Sequence, residues 1–229
     1  MTKAGFFITG TDTGVGKTLL SCELLRAGAR RGLRGSGMKP VASGSVRGLQ
    51  GLRNDDALAL WEASSVKGAY ALVNPYCFEA AIAPHLAARA AGVVINLEHL
   101  ARCARALGQH CDWLIIEGVG GWRAPLGPEL TVADMAARFA LPVIMVVGVR
   151  LGCLNHALLT RESIRSAGLQ FAGWIGSQID PRMLAVQENL AALDELLGEP
   201  CLGFVPWKPN EAQTRRQGDE MVEALLSRQ

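Results

Sequence analysis

The sequence predicts a doubly wound α/β fold: a mainly parallel sheet with helices on both faces. Three observations predict it. Unbroken apolar runs at residues 4–9, 113–116 and 143–149 read as strands buried on both faces, because a strand with one wet face would alternate. Longer segments with apolar residues at helical spacing alternate with these runs, so crossover helices join the strands. Hydrophobic residues make up 49% of the chain and aromatics only 6%, a mix that suits helices on a parallel sheet better than a β-sandwich.

Taken in order, residues 4–9 form the first strand, and 17–31 a helix whose apolar face is Leu19, Leu20, Leu24 and Leu25. Residues 35–39 form a short strand ending at Pro40. Residues 41–54, with Gly44, Gly48 and Gly51, read as a mobile loop. Residues 55–63 read as a helix with Asp55 or Asp56 at its N-terminus. Then follow helix 97–109, strand 113–116, helix 132–139, strand 143–149 and helix 154–167, opened near Asn155. Strand 172–175, helix 183–197, strand 202–205 and helix 220–226 complete the pattern. Right-handed crossovers wind such a sheet in both directions, and ligands bind at the carboxyl ends of its strands. No repeat, low-complexity segment or linker divides the chain, so residues 1–229 are expected to form one domain.

Charge and cysteine usage exclude several classes. The net charge is +2, from 23 basic and 21 acidic side chains, too balanced for a nucleic-acid partner. Arg30-Arg31 reads as a solvated helix end. The six cysteines form no Cys-x-x-Cys pair and read as reduced, buried small hydrophobes of a cytoplasmic protein. The N-terminal MTKAGFFITG is no signal peptide, and no apolar stretch approaches the ~20 residues that span a bilayer. Neither secretion nor membrane insertion is expected.

Residues 10–18 (GTDTGVGKT) stand between the first strand and the first helix, the context of a phosphate-binding P-loop. Glycines let backbone N–H groups turn toward phosphate oxygens, and the helix N-terminus adds partial positive charge. Lys17 can reach the β- and γ-phosphates, and the Thr18 hydroxyl can bind Mg²⁺. The loop departs from the usual spacing in one place: Thr11 stands where a glycine is common, and the glycine falls at Gly10. The expected fold is thus P-loop NTPase-like.

Two further segments carry site chemistry. Strand 113–116 runs into Glu117, followed by Gly118, Gly120 and Gly121. A carboxylate at that place orients magnesium in P-loop enzymes. Asp55 or Asp56 is a candidate third ligand, or else a helix cap. Lys39 closes the second strand at the same sheet edge, where it can neutralise a γ-phosphate or a carboxylate-like acceptor, and Ser43 can hydrogen-bond that acceptor.

These pieces together resemble the dethiobiotin synthetases. The resemblance rests on GTDTGVGKT (10–18), KPVASG (39–44), LRNDDALAL (52–60), NPY (74–76), EGVGGW (117–122), LPVIMVVGV (141–149), LGCLNH (151–156) and GFVPW (203–207), in the family's order. It implies a homodimeric, ATP-dependent ligase that makes dethiobiotin from 7,8-diaminononanoate and CO2 or bicarbonate. It also implies a set of roles: Lys17 and Lys39 as catalytic lysines, and Thr18, Asp56 and Glu117 as the Mg²⁺ ligands, with Asp56 favoured over Asp55. The triphosphate would lie on Thr13, Gly14, Val15, Gly16, Lys17, Thr18 and Leu19. Glu117, Gly118, Val119 and Gly120, then Pro206, Trp207 and Lys208, would line the nucleotide site. Thr11, Lys39, Ser43 and Asn155 would contact the substrate, Asn155 across the dimer interface. Ser177 and Gln178 stand where relatives carry the Asn-Asp that reads the base, which leaves base preference open.

Two other functions compete. An amidoligase of the cobyrinate type would need a glutamine-hydrolysing domain, for which the chain is too short. A chromosome-partitioning ATPase carries a lysine early in the loop, where this chain has Asp12.

Overall fold

Successive side chains of a strand point to opposite faces, so an unbroken apolar run feeds two cores at once. The computed structural model, which describes residues 4–227, shows this directly. The chain runs β1 (Ala4–Gly10), α1 (Lys17–Arg30), β2 (Gly35–Met38), β3 (Val41–Ala42), β4 (Val46–Gly48), β5 (Gly51–Arg53), α2 (Asp55–Ala63), α3 (Tyr70–Val73), β6 (Tyr76–Cys77), α4 (Pro84–Ala90), α5 (Leu97–Gly108), β7 (Trp113–Glu117), α6 (Val132–Phe139), β8 (Val143–Val149), α7 (Cys153–Ser166), β9 (Phe171–Gln178), α8 (Val186–Leu197), β10 (Cys201–Val205) and α9 (Glu211–Leu226).

Six strands form the central sheet in the order β10-β9-β8-β1-β7-β2, all neighbours parallel. Phe7, Leu114, Ile116, Val143, Met145 and Val147 point into one core with α5, α6, α7 and α8. Their neighbours Phe6, Ile8, Trp113, Ile115, Ile144 and Val146 point into the other, with α1, α2 and α9. The doubly wound parallel sheet is as predicted. Its carboxyl edge gathers Gly10, Met38, Glu117, Val149, Gln178 and Val205, the last residues of the six strands.

Several local expectations fail. The stretch 41–54 is not one loop. It contains β3, which pairs with β6, and the antiparallel hairpin β4–β5. Neither Asp55 nor Asp56 caps α2: the cap is Asn54, whose side-chain oxygen accepts from Ala57 N–H. Leu19 is 40% exposed, because the stripe that faces the sheet is Leu20, Leu24 and Leu25. α8 opens at Val186 rather than residue 183, and α7 at Cys153.

The largest miss is α9, predicted to begin at residue 220. Its first half is too polar to show periodicity, but a capping box of Asn210 and Gln213 starts it at Glu211. Arg30 and Arg31 are not merely solvated. Both bind Asp219 of α9, and Arg30 also binds the buried Glu23 at 2.7 Å. All six cysteines are free thiols, but Cys201 is exposed and Cys77 half-buried, so only the other four are buried as expected. Among the described residues no helix is long and apolar enough to cross a membrane.

Candidate active site

The site is built from the carboxyl ends of β1, β2 and β7 and the start of α2. After β1 the chain turns through residues 11–16 and enters α1 at Lys17. Gly16 precedes that helix at φ 91°, a left-handed conformation that favours glycine. A side chain there would also meet the Ser177 hydroxyl at 2.9 Å, so β9 supports the loop from below.

Lys17 is buried, and its ammonium donates to the Asp12 carbonyl at 3.0 Å. Burial first, then the nearby Lys39 charge, lowers its pKa to about 8. Thr18 donates its hydroxyl to Glu117 Oε1 at 2.8 Å. Glu117 is fully buried at the end of β7. The Lys39 ammonium lies between two carboxylates, 2.5 Å from Glu117 Oε1 and 2.9 Å from Asp56 Oδ2. Burial acts to lower the Lys39 pKa, but Glu117 and Asp56 outweigh it and hold the pKa above the ordinary lysine value. Burial likewise acts to raise the Asp56 pKa, and Lys39 together with the Thr18 hydroxyl keeps it below the usual carboxylate range. Asp55 is exposed, one step further around the helix.

These residues share a cleft of about 440 Å³ with Thr13, Gly14, Gly16, Ser43, Val119 and Gly120. Two amines, two carboxylates and three hydroxyl side chains line it, a set suited to phosphoryl groups and a hard cation. Glu117 Oε2 is buried without a hydrogen-bond partner among the described residues. An orphaned carboxylate oxygen in an all-oxygen set fits a magnesium ligand. The set holds only two carboxylates, and no group of three or more His, Cys, Asp or Glu is found among the described residues. Phosphate oxygens would have to complete the shell.

Other predicted residues lie outside the cleft. Val15 is fully buried beneath it, Leu19 faces away, and Gly118 is buried, its N–H bound to the Ile8 carbonyl. Thr11 lines a separate cavity of about 320 Å³ with Trp122 and Leu159. Asn155 is exposed on the first turn of α7. Gln178 spends its amide on the protein's own backbone, accepting from Trp207 N–H at 3.3 Å and donating to the Asp180 carbonyl at 3.2 Å. Pro206 is half-buried, Trp207 is 42% exposed, and the Lys208 ammonium lies 5.8 Å from the Trp207 ring centre.

Sequence reasoning missed how the loop is fastened. Arg150, just after β8, pairs with Asp12 at 3.2 Å, and Thr11 exchanges hydrogen bonds with β8 through its N–H and its hydroxyl. The signal was an acid inside a phosphate loop, which calls for a nearby cation.

A buried lysine opening the first helix, on this parallel sheet, defines an ATP-using α/β protein of the P-loop class. A family model described as an AAA domain matches residues 4–215. The fold resembles MinD in the MinC:MinD cell division complex of Aquifex aeolicus, with TM-score 0.59, 17% identity, and coverage of 98% of this chain and 95% of that one. It also resembles a ParA family ATPase from Chlorobium tepidum, with TM-score 0.53, 9% identity and 98% coverage of both chains. These are likenesses of fold alone. ATP-dependent dethiobiotin synthetase BioD of Xanthomonas oryzae pv. oryzae is 49% identical over 219 residues, 95% of this chain and 98% of that protein. The protein of the same name from Cellvibrio japonicus is 50% identical over 206 residues, 90% of each. The chain belongs to the ATP-dependent dethiobiotin synthetase family.

Proposed function

We propose that the chain, acting as one ligase domain, uses MgATP to close the ureido ring of dethiobiotin from 7,8-diaminononanoate and CO2. Its relatives' shared name supports an ATP-dependent ligase of biotin synthesis that forms a carbon–nitrogen bond. The observation that carries the site assignment is the Lys39 ammonium held between Asp56 and Glu117, in the cleft that also contains Lys17 and Thr18.

In this reading one substrate amine takes up CO2 as a carbamate. A carbamate oxygen attacks the γ-phosphorus, ADP leaves, and a carbamic–phosphoric anhydride forms. The second amine attacks the carbonyl carbon, loses a proton and expels phosphate, closing the ring. No side chain needs to act covalently; positioning and charge neutralisation lower the barrier. Lys17 binds the β- and γ-phosphates, with Thr13, Gly14 and Gly16 around them. Lys39 faces the carbamate and the transferring phosphoryl group, and Ser43 contacts the substrate. Thr18, Asp56 and Glu117 hold Mg²⁺, which neutralises phosphate charge. The exposure of Trp207 beside β10 supports a place next to the base, and the commitment of Gln178 to the backbone supports relaxed base selection. Asn155, exposed at the start of α7, suits a contact with the substrate carboxylate in a homodimer. Free thiols support a cytoplasmic setting.

The test is phosphate release from MgATP with and without 7,8-diaminononanoate and bicarbonate, with the product weighed as a cyclic urea. Release that needs both, with the urea formed, is the expected result. ATP binding without diamine-dependent turnover would remove the assignment and leave the P-loop fold intact.

A further inference from the structure

Lys39 leaves the sheet before it reaches the cleft. The register of β2 with β7 ends at Met38 opposite Ile116. Both main-chain polar groups of Lys39 are instead bound by the C-terminal end of α3, its last residue Val73 and its cap Asn74. Its N–H donates to the Val73 carbonyl at 2.8 Å, and its carbonyl accepts from Asn74 Nδ2 at 2.7 Å. Pro40 comes next and offers no N–H. The position of the ammonium is therefore set from residues 73–74 rather than from the strand.

Asn74 is buried, and its amide is the end of a directed chain of donors. Asn54 N–H donates to the Tyr70 hydroxyl at 2.9 Å, Tyr70 donates to Asn74 Oδ1 at 3.4 Å, and Asn74 Nδ2 donates to the Lys39 and Tyr76 carbonyls. The Arg53 guanidinium covers the Tyr70 ring at 4.2 Å. Asn54, at the other end, caps α2 two residues before Asp56, and its Nδ2 donates to the Ser43 carbonyl at 3.4 Å. Lys39 and Ser43 thus hang from one partly buried hydrogen-bond chain, and Asp56 lies in the helical turn that its Asn54 caps. A chain in which every donor points the same way polarises its members cooperatively. None of its bonds reaches residues 11–18, where Thr11 is fastened to β8 and Thr18 donates to Glu117 of β7.

We propose that Asn74, Tyr70 and Asn54 are positioning residues of the reaction, setting Lys39, Ser43 and Asp56 against one another. The inference rests on the reading of Lys39 given above. Residues that orient a functional group through hydrogen bonds typically change activity about 10- to 100-fold when removed. Asn74→Ala is expected to lower kcat by about that factor, with ATP affinity unchanged and the protein fully folded at the assay temperature. Tyr70→Phe keeps the ring over Arg53 and deletes only the hydroxyl. It is expected to lower kcat less and to raise the diamine KM through Ser43. The double variant should fall short of the product of the two effects.

Wild-type kcat in folded Asn74→Ala or folded Tyr70→Phe would overturn the proposal, as would a loss of ATP affinity in step with kcat. Should Asn74→Ala fail to fold, Tyr70→Phe decides by the same criteria. Lys39→Gln is measured alongside. If its turnover collapses while the positioning variants stay normal, only this inference fails. If it turns over normally, the reading of Lys39 fails with it.

Discussion

The Lys39 ammonium and the Glu117 carboxylate meet at 2.5 Å with neither open to solvent, and Thr18 donates to the same carboxylate oxygen. Removing one partner of a buried pair leaves an uncompensated charge and costs about 3–5 kcal/mol. Lys39→Met should therefore unfold at a clearly lower temperature than the wild type. Added Mg²⁺ should recover part of the loss, because it can serve the carboxylates that the ammonium served. In the wild type, Mg²⁺ without nucleotide should move the transition much less. Thermal unfolding with and without Mg²⁺ checks this, and equal shifts in the two proteins count against a shared seat for lysine and metal. Lys39→Gln should cut turnover by about 10²- to 10³-fold, the scale for losing one electrostatic contact to a transition state.

Replacing the pair together should behave differently. A buried ion pair exchanged for apolar groups of similar volume is often neutral for stability. Lys39→Met with Glu117→Leu should thus melt above Lys39→Met alone while showing no turnover. That outcome, read by thermal unfolding and phosphate release, would mark the pair as kept for chemistry. A double variant melting below both singles would instead make the pair a structural element.

Nucleotide affinity should depend on pH through Lys17. Its pKa is lowered to about 8, chiefly by burial. The charged ammonium binds phosphate and the neutral amine does not. ATP affinity in the free enzyme should hold below that pH and weaken as pH rises through it. Calorimetric titration with ATP from pH 7 to 9 measures it (a range of about one unit either side). Lys17→Arg should lose this alkaline limb, since a guanidinium stays charged.

A site far from the cleft offers a test of packing. Gly218 of α9 faces the stem of Glu23, which Arg30 holds at 2.7 Å. A methyl group there must displace a buried, ion-paired side chain. Overpacking costs about 1–3 kcal/mol, and alanine returns about 0.5–1 kcal/mol in helix propensity. Gly218→Ala should be destabilising by about 1 kcal/mol in denaturant unfolding, with the ATP KM unchanged.

How much of this could be read in advance follows from the range of the interactions. The six main strands, Lys17, Thr18, Lys39 and Glu117 lie in local patterns: an apolar run, a glycine turn, a residue at a strand's end. The residues alone did not tell Asp56 from Asp55; the family resemblance of LRNDDALAL favoured Asp56, and the Asn54 cap gives the reason, since it fixes which way each acid points. The pairing of Asp12 with Arg150 spans 138 residues: an acid inside a phosphate loop calls for a cation, but nothing local says which one. The Asn74 chain was invisible for a similar reason. NPY is a recognisable string, but its meaning lies in the carbonyl of Lys39, 35 residues earlier. The hairpin β4–β5 and the first half of α9 were missed because polar, glycine-bearing segments show no hydrophobic period. α9 nevertheless carries an Asn210…Gln213 box that a closer reading of caps would have found.

The strand order also bears on how the chain is made. β1 leaves the ribosome well before its neighbours β7 and β8, and its helix α1 shares a core with the much later α9. Contacts so distant in sequence form slowly and late. The nascent chain therefore carries a complete phosphate-loop sequence long before it has a phosphate site. A product cut short before α9 would leave Leu20, Leu24 and the carboxylate of Glu23 uncovered, a surface that proteases and chaperones recognise. Quality control of this enzyme is thus written into α9.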